Sequence, residues 1–249
     1  MRIAIIGCGN LGTALAKVLS KKYDVTVTRR NVEKIRFLRD LGCEILRDNT
    51  EAVKNSDIVM LTLKKRDVLN VLNQLKKYMS SKLVISFVAG LRFKDLKFFT
   101  EKPVKAMTTM SAEFEKGITL YYSELRENDE TVVERVLSSF GDVVKCSERE
   151  VDMLTAFSSS IAFIAKLYEA FVYSGLKLGF NFELSKKIAL NVFDGSSELL
   201  KFYEPDEIIE KVTTPAGTTI EGLYELFRHN VEFGIMEAVA ASARKLSEL

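Results

Sequence analysis

Apolar and polar positions along this chain follow two rhythms that change over near Ser147. Before that point, short apolar runs recur between stretches of helical spacing. Ile3-Ala4-Ile5-Ile6 is too short and too β-branched for a helix and predicts a strand. Asp24–Thr28, Cys43–Leu46, Asp57–Leu63, Lys82–Val88, Val104–Met107, Gly117–Tyr122 and Asp142–Cys146 predict seven more. Between them, Thr13–Leu19, Val32–Leu41, Thr50–Lys54, Arg66–Tyr78, Phe93–Phe99 and Glu130–Phe140 predict helices, with Gly42 and Gly141 as stops. Val68, Leu72 and Leu75 share one face of their helix. Strands alternating with helices imply a doubly wound, mostly parallel α/β sheet with right-handed crossovers.

After Ser147 no strand is evident. Ser147 and Glu150 form a capping box ahead of an apolar run. Val151–Leu178 reads as one helix or two, Phe182–Tyr203 as another, Pro205–Lys211 as a short one and Ile220–Leu246 as a last helix or pair. The expected organisation is therefore an α/β domain at 1–147 and an all-helical domain at 148–249. The stretch Ile161-Ala162-Phe163-Ile164-Ala165 is apolar on all sides, which predicts a helix buried all round. So apolar a domain is expected to hide part of its surface in a homodimer.

The first strand runs into Gly7, Gly9 and Gly12 at G-x-G-x-x-G spacing, and a helix follows. Strand, glycine turn and helix together point to a Rossmann-type dinucleotide site. Gly7 turns the chain off the strand, Gly9 leaves room for a pyrophosphate, and Gly12 lets the helix pack on the strand. The helix N-terminus offers free N–H groups to phosphate. The end of the second strand then selects the cofactor. An acid there would accept from the ribose hydroxyls of NAD. This chain has Thr28-Arg29-Arg30-Asn31 instead. An arginine fork suits a 2′-phosphate and a threonine adds a hydroxyl, so NADPH is expected, with NADH a poorer donor.

A second candidate is Val212–Leu223, VTTPAGTTIEGL. Either Thr214 caps a helix with Pro215 at its first position, or Thr218 caps it with Glu221 closing a box. Either arrangement gathers hydroxyls and free N–H groups at a helix start, which suits a carboxylate.

Bulk properties narrow the rest. The chain has 249 residues, 47% of them hydrophobic and 28% charged, with a net charge of +2. No basic excess calls for nucleic acid. No apolar run is expected to reach a membrane span, and the N-terminus reads as a core strand, not a signal peptide. Cys8, Cys43 and Cys146 fit neither a disulfide framework nor a metal site, so no metal is expected and a reducing cytoplasm is the simplest location. His229 reads as a surface or interface residue, and Cys8 as packing inside the turn. Phe98-Phe99 and Tyr121-Tyr122 read as core.

These motifs resemble Δ1-pyrroline-5-carboxylate reductase along the whole chain. The shared features are the turn Gly7-Cys8-Gly9-Asn10, a D-x-V-x-L-x-x-K strand at Asp57–Lys64, and a strand ending Ala89-Gly90. The stretch Val212–Leu223 is similar to V-[ST]-S-P-G-G-T-T-I-x-x-L, and Arg244–Leu249 to a family ending R-[ST]-x-E-L. The resemblance implies that Asn10 and Leu11 lie under the pyrophosphate and that Arg29 and Arg30 face the 2′-phosphate. It implies Asn49 and Lys64 as cofactor contacts and Ala89 beside the nicotinamide. Thr214, Gly217, Thr218 and Thr219 would hold the substrate carboxylate, with Thr219 nearest the ring nitrogen as the catalytic hydroxyl. The implied reaction is NADPH-dependent reduction of a cyclic imino acid to L-proline, by a homodimer or a larger ring of dimers.

The chain departs from the family pattern at four places. Ala216 replaces the first signature glycine, Met107-Thr108-Thr109 replaces M-P-N, Ser158–Phe163 replaces G-S-G-P-A-Y, and Lys64-Lys65 replaces K-P. Two other readings therefore stay open here: a reductase of a different imine or keto acid, and a non-catalytic NADP-binding protein. The cofactor expectation has a direct check. Replacing Arg29 and Arg30 together with alanine should raise KM for NADPH much more than KM for NADH; equal effects would remove the case for 2′-phosphate recognition.

Overall fold

The computed structural model describes residues 1–247; Glu248 and Leu249, and with them the end of the family-like terminal motif, lie outside the described residues. The chain forms two compact units, one comprising Met1–Ser158 together with residues 243–247, the other Ser159–Ser242.

The first unit carries β1 (Arg2–Ile6), α1 (Asn10–Leu19), β2 (Asp24–Thr28), β3 (Glu44–Leu46), α2 (Asn49–Lys54), β4 (Ile58–Leu61), α3 (Lys65–Met79), β5 (Leu83–Ser86) and α4 (Phe93–Leu96). It continues with β6 (Lys102–Thr108), β7 (Gly117–Ser123), α5 (Glu127–Leu137), β8 (Gly141–Lys145) and α6 (Glu148–Ser158). The strands make one eight-stranded sheet, ordered β3-β2-β1-β4-β5-β6-β7-β8. All neighbours are parallel except β6 and β7. Side chains alternate across it, as strand geometry requires. Ile3 and Ile5 enter one core with Leu15 and Val27; Ala4 and Ile6 enter the other with Leu72 and Leu75. The strand order reverses at β1 and β4, whose carboxyl ends therefore border the crevice where such sheets bind ligands.

One expected helix differs in kind. Val32–Arg39 is a 3-10 helix. Its buried residues, Ile35 and Leu38, lie three apart, the repeat of the tighter coil. Phe98 is also a correction: it is 72% exposed while Phe99 is buried.

The capping box forms as expected, with the Glu150 N–H donating to Ser147 Oγ and the Ser147 N–H donating to Glu150 Oε2. The helix it starts, α6, packs on β6 and β7 through Val151 and Leu154 against Met107. Beside that contact, the Lys105 ammonium lies 3.0 Å from Glu148 and 2.8 Å from Asp152, with its side chain only 4% exposed. Glu148 also accepts the N–H of Phe93, at the start of α4. A lysine on a central strand thus ties the first turns of two helices to the sheet.

The second unit contains α7 (Ser160–Lys177), α8 (Phe182–Leu199), α9 (Pro205–Val212), α10 (Thr218–Arg228) and most of α11 (Val231–Ser247). Pro205 stands at the first position of α9 behind a Glu204–Glu207 capping box. The expectation that Ile161–Ala165 is buried all round fails within one chain. Ile161 is 43% and Ile164 51% exposed, and α7 buries only Val172. Phe171, Phe182, Phe202, Phe227, Phe233 and Met236 are also at least half exposed. α7 and α8 pack on each other, but the unit encloses no core of its own. The expectation about membrane spans is corrected too: Glu148–Lys177, taken as one stretch, is long and apolar enough to cross a membrane by length and composition.

The lysine contact yields a stability test. Lys105→Met keeps the stem but strands two partly buried carboxylates, so it should destabilise the protein by about 2–4 kcal/mol. Adding Glu148→Gln and Asp152→Asn should recover most of that loss in denaturant unfolding. No recovery would mean the lysine acts through packing alone.

Candidate functional site

The crevice predicted by the strand order is a cavity of about 860 Å³. Its floor is the glycine turn. Gly7 has φ +89°, and a Cβ there would lie 2.4 Å from Leu63. A Cβ on Gly12 would lie 2.6 Å from Thr62 Oγ1 and 3.3 Å from Ile5. At Gly9 it would meet nothing closer than the Gly7 carbonyl at 3.9 Å, so this glycine opens onto the cavity. Gly9 is also the N-cap of α1, with no side chain capping the first turn. The leading amides of the helix are thus left for an anion.

The turn is braced by its neighbours. Thr28, 1% exposed, accepts the Gly7 N–H on its hydroxyl at 3.3 Å and the Cys8 N–H on its carbonyl at 2.8 Å. Its hydroxyl therefore serves the turn, where the sequence suggested a phosphate contact. Thr62 Oγ1 donates to the Gly7 carbonyl from the far side at 3.1 Å. The Cys8 thiol is fully buried, and that burial raises its pKa, in keeping with a packing role.

Of the expected cofactor residues, Gly7, Gly9, Asn10, Leu11, Arg29, Arg30, Asn49 and Lys64 line this one cavity. Gly12 sits behind it, between α1 and β1, where its role is close packing. Ala89 does not line it; it packs beside Met107, Val151 and Leu154. The Arg29 guanidinium donates to the Cys8 carbonyl at 3.0 Å. The Arg30 side chain is 87% exposed and pairs with Asp67 at 2.8 Å. Lys34, Arg47, Arg66, Asp67 and Asn70 also line the cavity and were not singled out from sequence. They come from three separate elements or their ends, the 3-10 helix, the end of β3 and α3, so no local motif announces them. A strongly cationic wall, free amides and an open glycine together fit a multiply phosphorylated ligand such as NADPH.

The threonine stretch lies in the helical unit, at the junction of α9 and α10. Neither expected cap is used. Gly217 is the N-cap of α10, and its N–H donates to the Thr214 carbonyl at 2.9 Å. Thr218 is the first helical residue. No side chain caps α10, so its leading N–H groups remain available. Thr214 and Thr218 are exposed. Thr219 Oγ1 donates to the Val212 carbonyl at 2.8 Å, which closes the loop and leaves that oxygen able only to accept. Ala216, where the resemblance expects glycine, has φ +57°, the left-handed region that an alanine enters at a cost.

His229 is exposed near Glu225. Tyr121 is fully buried, and its hydroxyl donates to Glu134 at 2.7 Å; burial and that carboxylate push its pKa far above normal. Neither belongs to the cavity.

Residues 148–249 match the family described as pyrroline-5-carboxylate reductase dimerisation, and residues 2–90 the family described as NADP oxidoreductase, coenzyme F420-dependent. The chain is 32% identical to a pyrroline-5-carboxylate reductase of Aquifex aeolicus, over 100% of this chain and 97% of the relative. Two solved structures share 25% identity and a TM-score of 0.89 with it. One is a Plasmodium falciparum pyrroline carboxylate reductase with NADP bound, covering 99% of this chain and 97% of its own. The other is a 1-pyrroline-5-carboxylate reductase from Streptococcus pyogenes, covering 100% and 99%.

The strained alanine gives this site its test. Ala216→Gly should raise stability by about 0.5–1 kcal/mol, relief of the left-handed strain exceeding the added chain entropy. Thermal unfolding at fixed protein concentration checks it, and a fall in stability would show that the strain is not felt.

Proposed function

The chain belongs to the pyrroline-5-carboxylate reductase family, and we infer from that membership that it reduces 1-pyrroline-5-carboxylate to L-proline with NADPH. The observation that carries this reading, beside the full-length likeness, is the cavity itself: a glycine turn open at Gly9, ringed by cations, with no acid at the end of β2. We assign Gly7, Gly9, Asn10, Leu11 and Gly12 to the pyrophosphate end, and Arg29 and Arg30 to the 2′-phosphate. Asn49 and Lys64 complete the cofactor wall. Ala89 stays assigned to the nicotinamide end on the resemblance alone.

NADPH, when bound, supplies the hydride that turns the imine CH into CH2. The remaining work is orientation. Thr214, Gly217, Thr218 and Thr219 are assigned to the substrate. The uncapped amides of α10 and the Thr214 and Thr218 hydroxyls suit its carboxylate. Thr219 has already given its proton to Val212. Its oxygen therefore suits a protonated imine, whose N–H⁺ donates to it. Adding hydride to such an iminium yields the neutral amine directly, so this step asks no residue for a proton. That agrees with a site assembled from hydroxyls and amides, and it makes Thr219 an aligning acceptor. The division of labour follows: nucleotide on the α/β unit, carboxylate on the helical one.

The helical unit pairs with a second copy. Its exposed Phe, Ile and Leu side chains and its match to the dimerisation family both support this. Larger rings remain compatible. Buried free thiols at Cys8 and Cys43 and the need for a reduced cofactor favour the cytoplasm.

The test is oxidation of NADPH in the presence of 1-pyrroline-5-carboxylate, with NADH as control. Turnover should be faster with NADPH, and Thr219→Val should lower kcat/KM roughly 10- to 100-fold through loss of a hydrogen bond to charge. Turnover of other imines or keto acids but not of this one would overturn the substrate; full activity of Thr219→Val would overturn its role.

A further inference from the structure

The wall of the cofactor cavity has one discordant member. Six cationic residues line it, Arg29, Arg30, Lys34, Arg47, Lys64 and Arg66, and Asp67 is the single acid among the lining residues. This acid does not sit at the end of β2, where a Rossmann site for NAD carries one. It arrives from elsewhere, in the first turn of α3 beyond β4. It also does not pair at random. Its carboxylate lies 2.8 Å from the Arg30 Nη2 and 3.9 Å from the Arg66 Nε. Among the described residues Arg29, Lys34, Arg47 and Lys64 make no ion pair; Arg29 binds a carbonyl. The only carboxylate on the wall is thus spent on one of the two arginines assigned to the 2′-phosphate.

We propose that Asp67 is a specificity-determining residue that weakens NADPH binding by competing for Arg30. The inference rests on the assignment of Arg30 to the 2′-phosphate. The phosphate must either take the guanidinium away from Asp67 or share it. If it takes it, the ion pair is lost; if it shares it, two anions sit on one cation. Both outcomes lower affinity. The carboxylate itself has little freedom to withdraw. It sits in the first turn of α3, where the helix dipole favours it, and its own N–H donates to the Lys64 carbonyl at 2.9 Å. Arg30, by contrast, is a long side chain that is 87% exposed, so it is the partner that moves. NADH brings a neutral 2′-hydroxyl to the same place and meets no such competition. Asp67 therefore narrows the gap between the two cofactors without touching the glycine turn.

Calorimetric titration of the full-length protein with NADPH and with NADH, at one low ionic strength, tests this. The set is wild type, Asp67→Asn, Arg30→Ala and the double variant. Arg30→Ala alone reads the parent assignment: it should weaken NADPH and leave NADH unchanged. Asp67→Asn should tighten NADPH roughly two- to fivefold, the range expected from freeing an exposed ion pair, and leave NADH unchanged. In the Arg30→Ala background the same substitution should do nothing. Asp67→Ser, with a different side chain of no charge, should reproduce the gain, and thermal unfolding confirms that each variant is folded. NADPH binding that is unchanged or weaker in Asp67→Asn overturns the proposal. So does a gain shared by NADH, or a gain that persists without Arg30. If Arg30→Ala spares NADPH, the arginine assignment itself falls; if it behaves as expected while Asp67→Asn does not, only the competition falls.

Discussion

The absence of space beneath the first helix governs this molecule. Gly12 lies so close to Thr62 and Ile5 that one methyl group would force β1, β4 and α1 apart. Gly7 is wedged against Leu63 in a backbone conformation that side chains resist. Two threonines then fix the turn from opposite sides, Thr28 from β2 and Thr62 just past β4. The cavity, the direction of α1 and the reach of the arginines after β2 all follow from that contact. The turn assigned to the pyrophosphate is less a set of contacting side chains than a place where side chains have been withheld.

Most of the fold was legible because its signals are local. Buried parallel strands read as continuous apolar runs, and DIVMLTL needs no partner to be recognised. The capping box at Ser147 and the proline at the start of α9 are likewise written within four residues. The failures have a common cause as well. Lys34, Arg47, Asp67 and Asn70 meet only because the crossovers bring their ends to one crevice. No spacing along the chain encodes that meeting. The hydroxyls behaved similarly. Thr28 and Thr219 were legible as polar groups, but that Thr28 accepts the Gly7 N–H while Thr219 donates to the Val212 carbonyl is a tertiary fact. In the threonine loop, Gly217 took the capping role because its backbone, not a hydroxyl, meets Thr214. The resemblance supplied Asn49, Lys64 and Ala89, which no periodicity would have found; the cavity gathers the first two and leaves Ala89 aside.

The two units reach stability by different means. The α/β unit buries its apolar side chains on both faces of one sheet and adds a lysine flanked by carboxylates where two helices begin. The helical unit covers few side chains completely. Its amphipathic helices have wide apolar faces that a single copy cannot enclose, and the family it matches is defined by dimerisation.

That uncovered surface also sets an order of events in time. Among the described residues every strand precedes Ser147, so the sheet can close while the ribosome is still making the helices. The helices leave apolar faces that the dimer supported by their family match would cover with a second chain. Maturation of this protein is therefore first order through the sheet and second order at the end, and its yield depends on how many copies are made at once.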